Sequence, residues 1–243
     1  MRLLIALLVM AALIALVPVV RKLYPVVVGS SADLAEVRQR VEPTLTAQLE
    51  AIGLELGAPA FIRIFKEESE LEVWLQQGER FQLFKTYDIC NFSGDLGPKL
   101  KEGDRQSPEG FYSVGRSAMN PNSSYHLSFN LGFPNAYDQL HKRTGSFLMV
   151  HGKCVSIGCY AMTDAGIEEI YLIVEAALSN GGKDVPVHAF PFRMTSERLI
   201  KEQDNAWFGY WANLKAGYDL FEVERVPPIV SVWGRQYEFV SGI

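Results

Sequence analysis

Leu3 through Val20 is an uninterrupted apolar run of eighteen residues, with Arg2 before it and Arg21-Lys22 behind it. A membrane-spanning helix needs roughly 17–25 such residues. The apolar part of a signal peptide is shorter, about 7–15 residues, and ends at a small-residue cleavage site. The run closes on Pro18-Val19-Val20 without one, so residues 1–22 are expected to form a signal-anchor, an N-terminal hydrophobic helix. Cleavage after Val28-Gly29-Ser30 is the alternative, and it leaves a soluble exported protein. Behind the run, Leu34, Val37, Val41, Leu45, Leu49 and Ile52 recur at spacings of three and four, predicting a helix from a Ser30 or Ser31 cap to Ile52. Pro43 is expected to bend or break it. The segment 23–58 is read as a helical stalk or linker, or equally as a helix packed on the body.

From Pro59 the period changes from about 3.6 residues to two. Phe61–Phe65 and Leu71–Leu75 predict strands, and after the turn at Gln77-Gly78 the stretch Phe81–Tyr87 completes a hairpin. Gly94–Gly110, with its glycines, prolines and charges, predicts a long loop, and loops of that length are usually functional. Strand-like stretches follow at Phe111–Val114, Tyr125–Leu131 and Ser146–Val150. One strong helix is expected in the body, from a Thr163 or Asp164 cap to about Leu178. Its buried stripe is Ile167, Ile170, Tyr171, Val174 and Leu178, with Gly181-Gly182 beyond its end. A strand at Val185–Phe190 precedes an aromatic, polar region around Trp207, Phe208, Tyr210 and Trp211. The folded domain is assigned to 59–233 and a C-terminal tail to 234–243.

Composition excludes some partners. Without the three cations of residues 1–22, the remaining 20 basic and 28 acidic residues leave a formal charge of −8. Binding nucleic acid requires clustered Lys and Arg, and the chain has no such cluster. Cys90, Cys154 and Cys159 are too few for a disulfide scaffold, and their odd number leaves at least one thiol unpaired. A free thiol in an exported protein is exposed to oxidation, which suggests a task that serine would not perform.

The densest constellation of reactive groups runs from Phe147 to Thr163. An apolar strand leads into His151-Gly152, and a short loop, Lys153 to Gly158, delivers Cys159 just before the capped helix. A thiol at its ordinary pKa is only a few per cent thiolate at neutral pH, and an imidazole that accepts its proton raises the reactive fraction. Gly158 permits close approach of the backbone, and the amides of Cys159 and Tyr160 are candidates to face a developing oxyanion. This is the chemistry of cysteine acyl transfer. The plainer alternative makes both cysteines small core residues and His151 a buried, satisfied histidine. Zinc on His151, Cys154, Cys159 and His188 is disfavoured, because the spacing matches no familiar site.

The element His151-Gly152 … Ser156-Ile157-Gly158-Cys159 resembles the catalytic signature of the YkuD-type L,D-transpeptidases. The resemblance extends to Tyr87-Asp88-Ile89-Cys90 with Gly94–Lys99, Ser107-Pro108-Glu109-Gly110-Phe111-Tyr112, Asn130–Tyr137 and Pro191–Thr195, all similar to the YafK branch, also called DpaA. It implies a mainly β fold, a YkuD-like sandwich with a few short helices. It makes Cys159 the nucleophile and His151 the general base, with Ser156 and Gly158 shaping the turn beside the thiol. The implied substrate is the peptidoglycan stem peptide, attacked at diaminopimelate through a thioester, and no metal or organic cofactor is required.

Three departures from the common signature are shared with the YafK branch. Ile157 replaces a second histidine, Ala161 stands where cross-linking members often carry arginine, and only seven residues separate His151 from Cys159. Members of that branch are hydrolases that release Braun's lipoprotein from diaminopimelate. The implied partners are therefore stem peptides and lipoprotein-linked muropeptides, the location the periplasm, and the anchor the inner membrane through residues 3–20. L,D-transpeptidation and a non-catalytic wall-binding module are the alternatives. Arg193, Lys99, Lys101 and Arg105 are candidates to pair with substrate carboxylates, and Tyr125 and His126 to line the cleft. His141 is expected at the surface, and a Cys90–Cys154 disulfide follows from the resemblance.

Overall fold

The computed structural model describes residues 32–243, so the apolar run at 3–20 lies outside it. Among the described residues no helix is long and apolar enough to cross a membrane. The first element among the described residues is helix α1, Leu34–Glu50. Its cap is Asp33, whose carboxylate accepts from the Ala35 and Glu36 amides, rather than either serine. Pro43 sits inside the helix without ending it, on the exposed side where a freed carbonyl meets water. Val37, Leu45 and Leu49 join the main core, and Arg38 and Arg40 pair with Glu175 and Glu168. Helix α1 is therefore part of the body rather than a stalk.

The first sheet combines β1 (Ala60–Phe65), β2 (Glu70–Gln77), β3 (Arg80–Asp88), β5 (Gly110–Gly115) and β10 (Asp184–Phe190) in the order β3-β2-β1-β10-β5. Only the β1–β10 pair is parallel. Every residue of β1 is buried, because both faces of the sheet are covered. Alternation sends Ile62 and Ile64 into the main core with helix α3 (Asp164–Ser179), and Phe61 and Phe65 to the opposite side. The second sheet is built from shorter strands: β4 (Asn91–Phe92), β6 (Met119–Asn120), β7 (Ser128–Asn130), β8 (Met149–His151) and β9 (Tyr160–Ala161), ordered β4-β9-β8-β7-β6. Helix α3 touches both sheets and α1. It is accordingly buried nearly all round, Leu172 and Ile173 included, and not along one stripe.

The opposite face of the first sheet is covered by a helix that the sequence pattern did not predict, α5, Phe208–Glu224. Two short helices, α2 (Ala136–Leu140) and α4 (Ser196–Ile200), precede it. Tyr210, Trp211, Leu214, Tyr218 and Phe221 of α5 fill the second core against Phe65, Phe190 and Phe192. The fold is thus two mixed sheets with substantial helix. Residues beyond 233 are no free tail: β12 (Gln236–Val240) pairs with β11 (Ile229–Trp233), and Asn213 of α5 bonds both the amide and the carbonyl of Tyr237.

Candidate active site

His151 ends strand β8 and Cys159 immediately precedes β9. These strands run parallel, with Val150 beside Tyr160 and His151 beside Ala161, so Cys159, just ahead of β9, lies next to the strand that His151 ends. Both residues line a cleft of about 890 Å³. His151 Nδ1 lies 2.6 Å from the Gly152 carbonyl oxygen, which can only accept, so Nδ1 carries the proton and Nε2 is the free base. The Cys159 thiol donates to the Phe147 carbonyl at 3.5 Å.

Burial shifts the two groups in opposite senses. It pushes the Cys159 thiol up, against a hydrogen bond with the Met149 backbone and the charge of Lys99. It pushes the His151 imidazole down, against the Gly152 carbonyl. The resting pair is neutral, with the proton on sulfur. Proton transfer to Nε2 then accompanies attack rather than preceding it.

The turn leading to the thiol is tightly held. Ser156 Oγ donates to the Cys159 carbonyl at 2.7 Å and accepts from the Gly158 amide at 3.2 Å. Gly158 has φ 143°, and a Cβ there would press on Leu148, so the position requires glycine. Cys154, in the same loop, is disulfide-bonded to Cys90 between β3 and β4, which leaves Cys159 as the free cysteine. Around the thiol, Phe147, Val155 and Ile157 are exposed apolar side chains on the cleft wall.

This geometry has relatives. The YkuD family, the L,D-transpeptidase catalytic domain, matches residues 59–188. YafK of Escherichia coli strain K12, named as an L,D-transpeptidase, is 50% identical over 182 residues, covering 75% of this chain and 74% of that one. The chain belongs to the YkuD family of L,D-transpeptidases, in its YafK branch. Among solved structures, the helical cell shape determining protein Pgp2 of Campylobacter jejuni matches with TM-score 0.45 and 21% identity, over 72% of this chain and 67% of that one. The match covers 62% of a single-site variant of Pgp2. Bd1075 of Bdellovibrio bacteriovorus matches with TM-score 0.40 and 16% identity, over 75% of this chain and 84% of that one.

As an L,D-transpeptidase-family enzyme the protein acts on the cell wall, and its fold assembles most of the residues expected at the site. Tyr125 lies in the cleft wall with its ring 4.8 Å from that of His151. Lys99 is also there, nearly buried, with Nζ on Asp104 at 2.5 Å and on the Lys101 carbonyl at 3.0 Å. Burial would raise Asp104, but hydrogen bonds from Lys101, Lys99, Leu100 and Gln106 hold it below the usual carboxylate range. Arg105 lines the same wall, whereas Lys101 does not. Ile157, in place of the second histidine, stands 81% exposed at the cleft.

Other expected residues lie elsewhere. Arg193 is paired with Glu70 and, at 2.8 Å, with Glu72, its guanidinium over the Phe65 ring. Two acids of β2 and a core aromatic hold it on the α5 side of the first sheet, so it is a structural cation and not a cleft residue. His126 bonds Glu168 at 2.8 Å beside α3. His141 stacks on Tyr137 and bonds the Arg235 carbonyl. His188 is a core residue between Phe61 and Phe111, pushed down to about 3 by burial, far from the ligand set that zinc would need. One residue of the site carried no sequence role: Ser107, fully buried, donates from Oγ to the Cys159 carbonyl at 3.1 Å. Its only signal was membership of the Ser107–Tyr112 motif.

Proposed function

We propose that this enzyme is a cysteine hydrolase that cleaves the amide bond between peptidoglycan diaminopimelate and a covalently attached outer-membrane lipoprotein. The supporting observation is that one free thiol and one imidazole, its Nε2 left unprotonated, line a single open cleft. His151 Nε2 takes the thiol proton as Sγ bonds to the carbonyl carbon of the substrate amide. The C–N bond breaks, the proton passes to the leaving lysine amine, and a thioester remains. Water, deprotonated by the same Nε2, then adds to the thioester. The acid product leaves and the thiol recovers its proton. Arg105 puts positive charge on the cleft wall, matched to a free carboxylate of a diaminopimelate stem, while Lys99 is held by Asp104.

The hydrolytic outcome is supported by the departures at Ile157 and Ala161, which the sequence shares with the branch that the resemblance associates with hydrolysis. A second outcome, L,D-transpeptidation, is favoured by the name of the 50% identical relative. The chemistry is common to both until the thioester meets water or an amine. Purified protein incubated with lipoprotein-bearing sacculi is expected to release free lipoprotein, and Cys159→Ala to release none. Cross-linked dimers from tetrapeptide stems would instead support transpeptidation. With the apolar run of residues 3–20 as its anchor, the enzyme works in the periplasm at the inner membrane. Full-length chain should therefore fractionate with membranes, and a chain begun after residue 22 behind a cleavable leader should not.

A further inference from the structure

Ser107 and Ser156 reach one acceptor from opposite sides. Ser156 Oγ lies 2.7 Å and Ser107 Oγ 3.1 Å from the carbonyl oxygen of Cys159. A carbonyl has two lone pairs, and here two hydroxyls reach it. The peptide plane that follows the nucleophile is thereby fixed from two directions, since a planar trans unit leaves no torsion about its C–N bond.

The anchoring of Ser107 is independent of the cleft. Its amide donates to the Ser93 carbonyl at 2.9 Å, and its Oγ accepts from the Ser93 amide at 3.2 Å. Its own carbonyl accepts from Lys66 Nζ at 3.2 Å. Lys66, just past the end of β1, is fully buried and paired at 3.0 Å with the equally buried Glu109. Glu109 in turn accepts from the Gly97 amide and, at 2.9 Å, from Trp211 Nε1 of α5. The segment from Ser107 to Gly110 thus connects the core to the nucleophile.

We infer that Ser107 is a positioning residue for the acyl-transfer reaction, acting with Ser156 as a two-hydroxyl clamp on the Cys159 carbonyl that holds the thiol at Phe147 and opposite His151. It deepens the proposal that Cys159 is the nucleophile and rests on it. Because the two hydroxyls share one acceptor, removing either leaves the carbonyl satisfied, whereas removing both leaves a polar group without its partners and frees the turn.

The test is a double-mutant cycle with Ser107→Ala, Ser156→Ala and the pair, in the complete chain. Turnover of sacculi is followed by muropeptide mass spectrometry, and alkylation of Cys159 by iodoacetamide at pH 7 is measured alongside. Each single variant is expected to lower kcat about 5-fold with KM little changed, and the pair on the order of 10² or more, well beyond the product of the singles. Ser156→Thr, which keeps a hydroxyl, should recover most of the kcat that Ser156→Ala loses. Alkylation should move the other way, rising about tenfold in the pair as the thiol leaves its half-buried seat. An unchanged kcat and alkylation rate in the pair, or effects that simply multiply, would overturn the clamp. If wild-type protein leaves sacculi intact, the hydrolase proposal fails, and the alkylation arm still decides whether Ser107 and Ser156 hold the thiol.

Discussion

The proton of the resting Cys159–His151 pair sits on sulfur, because burial raises the thiol and lowers the imidazole. The base form of His151 is the neutral one, and a lowered pKa keeps it neutral further into acid. The acid limb of kcat/KM, which reports the free enzyme's base, is therefore expected below pH 6.5, the imidazole's ordinary value. A pH–rate profile checks this, and a limb above that value would contradict a buried neutral base. His151→Gln should lower kcat by about 10²–10⁴. The two residues proposed to react line one cleft; a histidine closing an apolar strand and a cysteine behind a glycine marked them in the sequence as candidates, and the family resemblance gave them their roles. Ser107 was not, because its partner carbonyl lies 52 residues away and only the fold brings them together. Arg193 misled for the same reason: its acids, Glu70 and Glu72, are on another strand.

The period-two stretches became β1, β2, β3 and β10, and the capped periodic segment became α3, with Thr163 accepting from the Gly166 amide as cap. Helix α5 was illegible because it lacks the usual marks. Its N-terminus has no side-chain cap, its buried positions are mostly aromatic, and Gly217 reads as a breaker. The structure explains that glycine, since a Cβ there would collide with Phe111 and Phe239. Two elements also carry stability predictions. Replacing Cys90 and Cys154 by serine opens a cross-link spanning 64 residues. It should cost about 2–4 kcal/mol in denaturant unfolding, with reductant destabilising the wild type but not the variant. Glu109→Gln leaves the Lys66 charge buried without its carboxylate and should cost about 3–5 kcal/mol in denaturant unfolding.

At the scale of the whole molecule, an acidic body carries a cleft whose wall holds Arg105, Glu102 and a Lys99 already paired with Asp104. On the proposed function, Arg105 is the cation there that meets a substrate carboxylate. The two sheets meet through α3, α5 braces the first sheet from outside, and the second sheet's short strands present the thiol and the imidazole at their ends. The folded body begins earlier than hydropathy suggested, since α1 already joins the main core, and the fold's helical share was underestimated through α5. The central claim is that Cys159 opens an amide to diaminopimelate and that water completes the reaction. Mass spectrometry of muropeptides from lipoprotein-bearing sacculi tests it most directly. Treatment with the enzyme should convert lipoprotein-remnant muropeptides into species with a free diaminopimelate carboxylate, and Cys159→Ala should leave them unchanged. Conversion by Cys159→Ala equal to wild type, or remnant-bearing species that persist while new dimers accumulate, would contradict it.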